Sequence, residues 1–494
     1  YKALVCLFLN GGNDSFNVLV PRGSAEYAEY AAIRLDLALP QANLLALNPL
    51  NSIGKQLGVH PSMPEVQNLF ETGKLSFVSN VGTLVERITK AQYENETVPI
   101  PLGLYSHSDQ IQQWQTSVPD GVATVGWGGR SADLLAALNE NQEISMNISL
   151  GGSNVWQSGQ QVVEYAITAN GSIGLDGYDG PWNYDPVRGA AIDSQLDLEY
   201  RNLFEQTFAR KSRASVDAHY QFMNAINAAP ALTTSFPADS WLADNLRMVA
   251  RTIAARTQLG VRRQTFFVSV GGWDHHDELI TNQQVMLAEV SASIGAFYNA
   301  LVELGVTNDV TLFTASDFGR TLTSNGAGSD HAWGGNHIVM GGGVNGQRIF
   351  GQYPDLFEDN ALDTGRGRLI PTTSVDEYFA DLALWLGVDK TNLPLVLPPV
   401  VVGYLLLVLF GRRGFLGSWL MEYDIQVIFT LTGAVIASSV VGFPLLVRSI
   451  RLGMESIDPA FCRAARTLGA SGWEAFLTVT LSLSGKAVFA GMTL

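Results

Sequence analysis

Cysteine is nearly absent from this chain: two residues, Cys6 and Cys462, in 494. They lie in segments of different character, so neither a disulfide framework nor a zinc knuckle is supported. Positive charge is also short, with 30 Lys and Arg against 46 Asp and Glu and a formal net charge of −16. Binding nucleic acid requires clustered cations to neutralise phosphates, and the deficit argues against that class of partner. No GxxxxGK[ST] phosphate loop occurs, so any ATPase activity would belong to a separate subunit. No internal repeat and no low-complexity tract is present. Histidine is scarce too, but four of the seven fall between His275 and His337.

The charge deficit is not evenly spread. From Pro394 onward there are seven Lys and Arg and five Asp and Glu, a surplus of two positive charges, which leaves −18 for everything before. The opening "YKALVCLFLNGG" is too short to span a bilayer and lacks the flanks of a signal peptide. A buried first strand is expected there, with any export signal removed or left out.

Up to residue 393 the pattern is strand, polar loop, helix, strand. "ALVCLFL", "LSFVSNVG" (75–82), "RQTFFVSV" (263–270) and "DVTLFTAS" (309–316) are continuous apolar runs ending in turn residues, as central parallel strands do. Helix-like stretches such as "MPEVQNLFETGK" and "QVMLAEVSASIGAFYNALVELG" separate them. The expected fold class is α/β, a doubly wound sheet with ligands at the carboxyl ends of its strands. Residues 140–190 predict short strands and turns inserted between the halves, and 193–230 predict helix, giving an insert over about 140–230.

Each apolar run ends in Asp, Asn, His or Ser. "NGGNDSFN" offers Asn13 and Asp14, "GGWDHHDE" offers Asp274 and His276, "TASDFGRT" offers Asp317 and Arg320, and "GSDHAWGGNH" offers Asp330, His331 and His337. Carboxylates and imidazoles ending parallel strands converge in space, as a metal site requires. The mixture favours Zn²⁺ or Mn²⁺, with Ca²⁺ or Mg²⁺ less suited. Helix capping is the ordinary alternative for Asp14, and a helix-terminal salt bridge for Arg320, which can otherwise clamp an anionic substrate. "YSHSDQIQQWQ" (105–115) reads as a helix start headed by Ser106, His107 and Ser108. A plain N-cap serine is the ordinary reading.

"FLNGGNDSFNVLVP", "YSHSDQIQQWQTS", "GGWDHHD" and "DFGRT…NGAGSDHAWGGNHIVMGG" resemble an uncharacterised bacterial family, usually exported by the twin-arginine route. That family is placed in the alkaline phosphatase-like, or sulfatase-like, superfamily. The resemblance covers about 1–397. It implies a central mixed sheet with flanking helices, a divalent-metal site at the strand ends, a periplasmic location, and hydrolysis of a small anionic ester. It also implies that Asp14 is the carboxylate ending the first strand, that Asp274 and His276 belong to one metal site, that Asp317 is the Asp of an Asp-His pair, that His331 or His337 is the last His ligand, and that the nucleophile at a helix start is Ser106 or Ser108, with His107 beside them. One residue rather than three separates Asp274 from His276, and Phe318 replaces the paired His, which weighs against a full two-metal centre. A binding or scaffold protein of the same fold is the alternative.

From Pro394 the chain changes. "PLVLPPVVVGYLLLVLF" (394–410) and "IFTLTGAVIASSVVGFPLLV" (428–447) are apolar and charge-free, and a third apolar stretch follows. Two to three transmembrane helices are expected. Residues 448–484 resemble the cytoplasmic loop of ABC importer permeases, with Ala464, Ala465 and Gly469 at the spacing of its ATPase-coupling helix. The wording of the tail is similar to a molybdate importer permease, implying an inner-membrane fragment that pairs with a separate ATPase subunit. A molybdate-transport permease subunit is thus a third functional reading. A cytoplasmic coupling loop would leave residues 1–393 in the cytoplasm, in conflict with the export implied above. The phrase "LPLVLP" (393–398) suits both halves, and the expected origin is a junction of two unrelated genes there. Such a junction arises by recombination or by faulty assembly: an unbroken read of source DNA across codons 380–410 would make the fusion genuine, and no product, with the halves amplifying separately, would make the tail an artefact.

Overall fold

The computed structural model describes residues 1–397 and Ser471. The expected membrane helices and the coupling-loop residues Ala464, Ala465 and Gly469 lie outside the described residues. The chain divides into two compact units, Tyr1–Val388 and Asp389–Leu494.

The frame of the first unit is a ten-stranded mixed sheet. The principal strands are β1 (Lys2–Leu9), β2 (Leu75–Gly82), β3 (Asn147–Ser149), β4 (Tyr165–Thr168), β5 (Arg263–Val270), β6 (Val310–Ser316) and β7 (Gly335–Met340). Their order is β2-β7-β6-β1-β5-β3-β4. β1 pairs in parallel with β5 and β6, β3 in parallel with β5, and β4 in parallel with β3, whereas β7 runs antiparallel to both β6 and β2. The four apolar runs are thus strands. β3 and β4 of the insert join the main sheet, because Asn147, Ile148 and Ser149 pair with Thr265, Phe266 and Phe267. Two helices come next in the insert, Asp185–Leu196 and Leu203–Ala228.

Strand β1 shows why the sheet is central. Seven of its eight residues are buried, so both faces must be covered. Ala3, Val5, Leu7 and Leu9 belong to one large core with side chains from α-helices Pro64–Glu71, Trp241–Ala254 and Leu279–Glu303. The alternate residue Phe8 meets Phe267 on the other face, where Trp156, Trp127, Phe313 and Phe379 form an aromatic layer. Burying each such side chain contributes about 1.5–3 kcal/mol. Helix Leu279–Glu303 is long and apolar enough to cross a membrane, but Leu287, Val290, Ile294, Phe297 and Leu301 are buried in this core.

Parallel pairing brings strand ends to one edge. Leu9 lies level with Val270 and with Ser316, so the loops after β1, β5 and β6 leave the sheet together. Antiparallel β7 starts at that edge, delivering the segment just before it to the same place. One helix, Val375–Leu386, starts with a reciprocal cap: Glu377 N–H donates to the Ser374 hydroxyl and Ser374 N–H to the Glu377 carboxylate.

In the first turn of that helix Asp376 is fully buried. It accepts a hydrogen bond from the Ser117 hydroxyl, and its Oδ2 has no partner. Burial pushes its carboxyl up to about 7, against the opposing pull of Ser117 and the Arg130 charge. An unfolded Asp releases its proton near pH ~4, so between there and about 7 the folded chain holds more protons than the unfolded one. Stability falls as pH rises through that window. Thermal midpoints measured at pH 5 and pH 8 should decline for the native chain, and the decline should be shallower for Asp376→Asn.

Candidate metal centre

The loop after β1 turns sharply. Gly11 has φ 123° and Gly12 φ 83°, conformations open to glycine. A Cβ on Gly11 would lie 2.6 Å from the backbone nitrogen of Asp274, and one on Gly12 would strike the Phe318 ring. The close approach is used: Gly11 N–H donates to Asp317 Oδ1 at 3.0 Å, and Gly11 C=O accepts from Arg320 Nη1 at 3.3 Å. The first two loops are thereby tied to the third.

Asp274, on the loop after β5, stands at the middle of what they carry. Arg320 Nη1 lies 2.5 Å from its Oδ1. The Nε2 atoms of His276 and His331 are 3.0 and 3.3 Å from the same oxygen, and His107 Nε2 is 3.4 Å from Oδ2. The two nitrogens of His276 and His331 are 3.1 Å apart. The other nitrogen of each ring is held from behind. His331 Nδ1 donates to the Tyr105 carbonyl at 2.8 Å, His107 Nδ1 faces Asp317 Oδ2 at 2.7 Å, and His276 Nδ1 faces Asp330 Oδ1 at 3.0 Å. A carbonyl only accepts, so the His331 proton sits on Nδ1 and Nε2 presents its lone pair. His107 and His276 each lie between two carboxylates, one behind the ring and Asp274 in front. Phe318 packs against two of the rings, 4.8 Å from His107 and 4.6 Å from His331 between centroids.

His331 Nε2 turns its lone pair toward Asp274, and His107 Nε2 and His276 Nε2 face the same carboxylate, a set of donors that a cation among them would join. His107, Asp274 and His331 can hold a metal ion together, and His276 Nε2 lies beside two of them, 3.0 Å from Asp274 and 3.1 Å from His331. For Zn–N bonds of about 2.0–2.1 Å, the corners of a tetrahedron lie about 3.3–3.4 Å apart, close to the donor separations above. Backing of each imidazole by a carboxylate or carbonyl is the usual outer arrangement of a His-ligated metal. The electrostatics agree. Burial lowers the His331 pKa, with the Tyr105 carbonyl opposing, which disfavours a proton in the cation's place. Burial works upward on Asp274, but Arg320 together with His276 and His107 holds the carboxyl below its ordinary range. Burial likewise works upward on Asp330, where Arg366, Asn325 and His276 together bring the carboxyl below its ordinary range, whereas burial raises Asp317.

The remaining sequence candidates fall elsewhere. Asp14 is buried, paired with Arg34 at 2.8 Å and accepting from the Ser329 hydroxyl at 3.0 Å. Asn13 N–H donates to the Ser316 hydroxyl, and its side chain meets Gln283. Asp317 and Asp330 stand behind the imidazoles rather than among the converging atoms. His337 lies within β7, 3.4 Å from the Thr314 hydroxyl and against the rings of Trp114 and Tyr378. Burial lowers its pKa to about 3, so it is a neutral core residue. Arg320 is fully buried, its remaining bonds going to Ser329. Ser106 occupies the N-cap of helix His107–Thr116 with no capping hydrogen bond; its hydroxyl meets that of Ser108 at 3.1 Å. His107, read from sequence only as a neighbour of these serines, faces Asp274 because it is the first residue of that helix, after Tyr105 at φ 74°.

The fold and this cluster define an α/β protein with a His- and Asp-rich centre at the strand ends. Residues 1–393 match the family described as "Protein of unknown function (DUF1501)", and the chain belongs to that family. Residues 391–494 match a second description, "Binding-protein-dependent transport system inner membrane component". Over 104 residues the chain is 55% identical to the molybdenum transport system permease protein ModB of Haemophilus influenzae and 53% identical to ModB of Escherichia coli, in each case 21% of this chain and 45% of the relative. The chain thus spans under half the length of these relatives. Similar solved structures include Ps i-CgsB in complex with k-i-k-neocarrahexaose (12% identity, 80% of this chain and 74% of that one, TM-score 0.31). They also include the PsFucS1 sulfatase from Pseudoalteromonas sp. (10%, 79% and 68%, TM-score 0.30).

Substitution of Gly11 by Ala should destabilise the domain by about 1–3 kcal/mol, because the new methyl meets backbone rather than a side chain that can move. Denaturant unfolding of the two chains would measure the difference.

Proposed function

We propose that the first unit is a metal-dependent hydrolase of phosphate or sulfate esters, and that its centre holds one divalent cation on His107 Nε2, His276 Nε2, His331 Nε2 and the Asp274 carboxylate. The observation that carries this reading is the convergence of three backed imidazoles on one carboxylate. Nitrogen-rich donors favour Zn²⁺ or Mn²⁺ over Ca²⁺ and Mg²⁺. Bound there, such a cation supplies Lewis-acid polarisation of an ester oxygen.

The chain's own groups supply the rest. Arg320 keeps Asp274 ionised and fixes its orientation. Asp317, Asp330 and the Tyr105 carbonyl hold the three rings with Nε2 inward. Ser106 and Ser108, at the positive end of a helix, are the nucleophile candidates, because that end favours the anionic form of an attacking oxygen. Four protein donors also suit a non-catalytic centre. Side chains of the four are a quarter to nearly half exposed, which favours the hydrolase, since an ester can reach them.

For residues 394–494 we propose a partial ABC-importer permease of the molybdate type, seated in the inner membrane and served by a separate ATPase subunit. Export of the first unit to the periplasm and a cytoplasmic coupling loop remain mutually exclusive in one chain.

Elemental analysis of the purified full chain should find about one Zn or Mn per chain, and His107→Ala or His331→Ala should lower that content at least tenfold. Asp14→Asn, which leaves the four donors intact, should keep it. Chromogenic phosphate and sulfate esters should be turned over only by the loaded protein. Unchanged metal in the His variants would refute the assignment, and stoichiometric metal without turnover of any ester would favour the non-catalytic reading.

A further inference from the structure

A tetrahedral anion needs a guanidinium or ammonium besides the metal, and Arg320 cannot serve. It has no exposed side-chain surface, and Asp274, Gly11 and Ser329 take its donors. Arg366 is committed to Asp330 at 2.6 Å. Arg368 is different. Its Nε donates to the His331 carbonyl at 3.0 Å, and its guanidinium lies 5.1 Å from the centre of the Tyr105 ring. Tyr105 is the residue whose carbonyl holds the His331 ring, and it directly precedes Ser106. Among the described residues no carboxylate pairs with Arg368, and the side chain is half-buried.

We propose that Arg368 is the substrate-binding cation of this centre and grips the non-bridging oxygens of a phosphate or sulfate ester through Nη1 and Nη2. The proposal rests on the hydrolase reading above. Its physical basis is the fork geometry of guanidinium. One edge is anchored on a ligand's backbone and the plane is steadied by an aromatic ring, so the two terminal nitrogens are presented as a pair to a planar or tetrahedral oxyanion. Anchoring on His331 itself also fixes the distance between this cation and the imidazole cluster. Lysine cannot reproduce the arrangement, because its single ammonium cannot both bond the carbonyl and offer a parallel pair.

The test uses the full chain loaded with zinc, and inorganic sulfate and inorganic phosphate as probes, titrated by calorimetry with zinc content measured on the same samples. Arg368→Gln should retain about one zinc and bind either anion about ten- to hundredfold more weakly, and Arg368→Lys should fall between it and the native chain. An Arg368→Gln protein that binds the anions as tightly as the native chain would overturn the proposal. So would loss of zinc with unchanged anion affinity at saturating metal, which would mean that Arg368 serves only to hold the His331 backbone. Native protein that takes up zinc but binds neither anion would also sink it. Native protein that takes up no zinc would instead strike at the metal reading from which it descends.

Discussion

The site depends on one charge pair, fully buried Arg320 with half-exposed Asp274. A guanidinium without solvent contact is costly unless its donors are met, and here they are met by one carboxylate and by backbone and hydroxyl oxygens of two other loops. The pair fixes a carboxylate at the mouth of the strand ends and keeps it ionised. Everything else at the centre is arranged around that fixed negative point: three rings face it with their Nε2 atoms, and each ring is held from behind by a carboxylate or a carbonyl.

Much of this arrangement was legible in the primary structure. Strand β1 announces itself as an unbroken apolar run, because a parallel strand buried on both faces leaves no alternation to read, and β2, β5 and β6 show as apolar-rich segments ending in turn residues. Short strand β3 and antiparallel β7 are less visible, and β7 misleads, since His337 interrupts its apolar pattern and invites reading as a ligand. Its neighbours Trp114 and Tyr378 come from helices distant in sequence, which no local pattern reveals. Asp274, His276 and His331 were recognisable as a cluster, but the division of the carboxylates was not. Whether Asp14 faces a metal or a guanidinium is decided by Arg34, and whether Asp317 binds or backs is decided by His107. The available signal for His107 was its place at a helix start, where a side chain projects back toward the preceding loop.

The two halves obey different solvents. The acidic surplus lies wholly before Pro394, while the apolar runs after it carry no charge for seventeen or more residues at a stretch. The two family matches overlap only at residues 391–393, beside the Leu-Pro phrase that suits both wordings. Their separation into units at Val388 and Asp389 falls just before that phrase, so the join cuts through no element of the sheet.

The Tyr105 carbonyl and the His331 ring that it orients are 226 residues apart along the chain. During synthesis His107 leaves the ribosome long before His331, and the strand that follows His331, β7, must still pair with β2, which was made early. The binding centre therefore closes only after translation has passed residue 340. The grouping of these side chains belongs to a finished sheet and cannot guide the earliest folding steps.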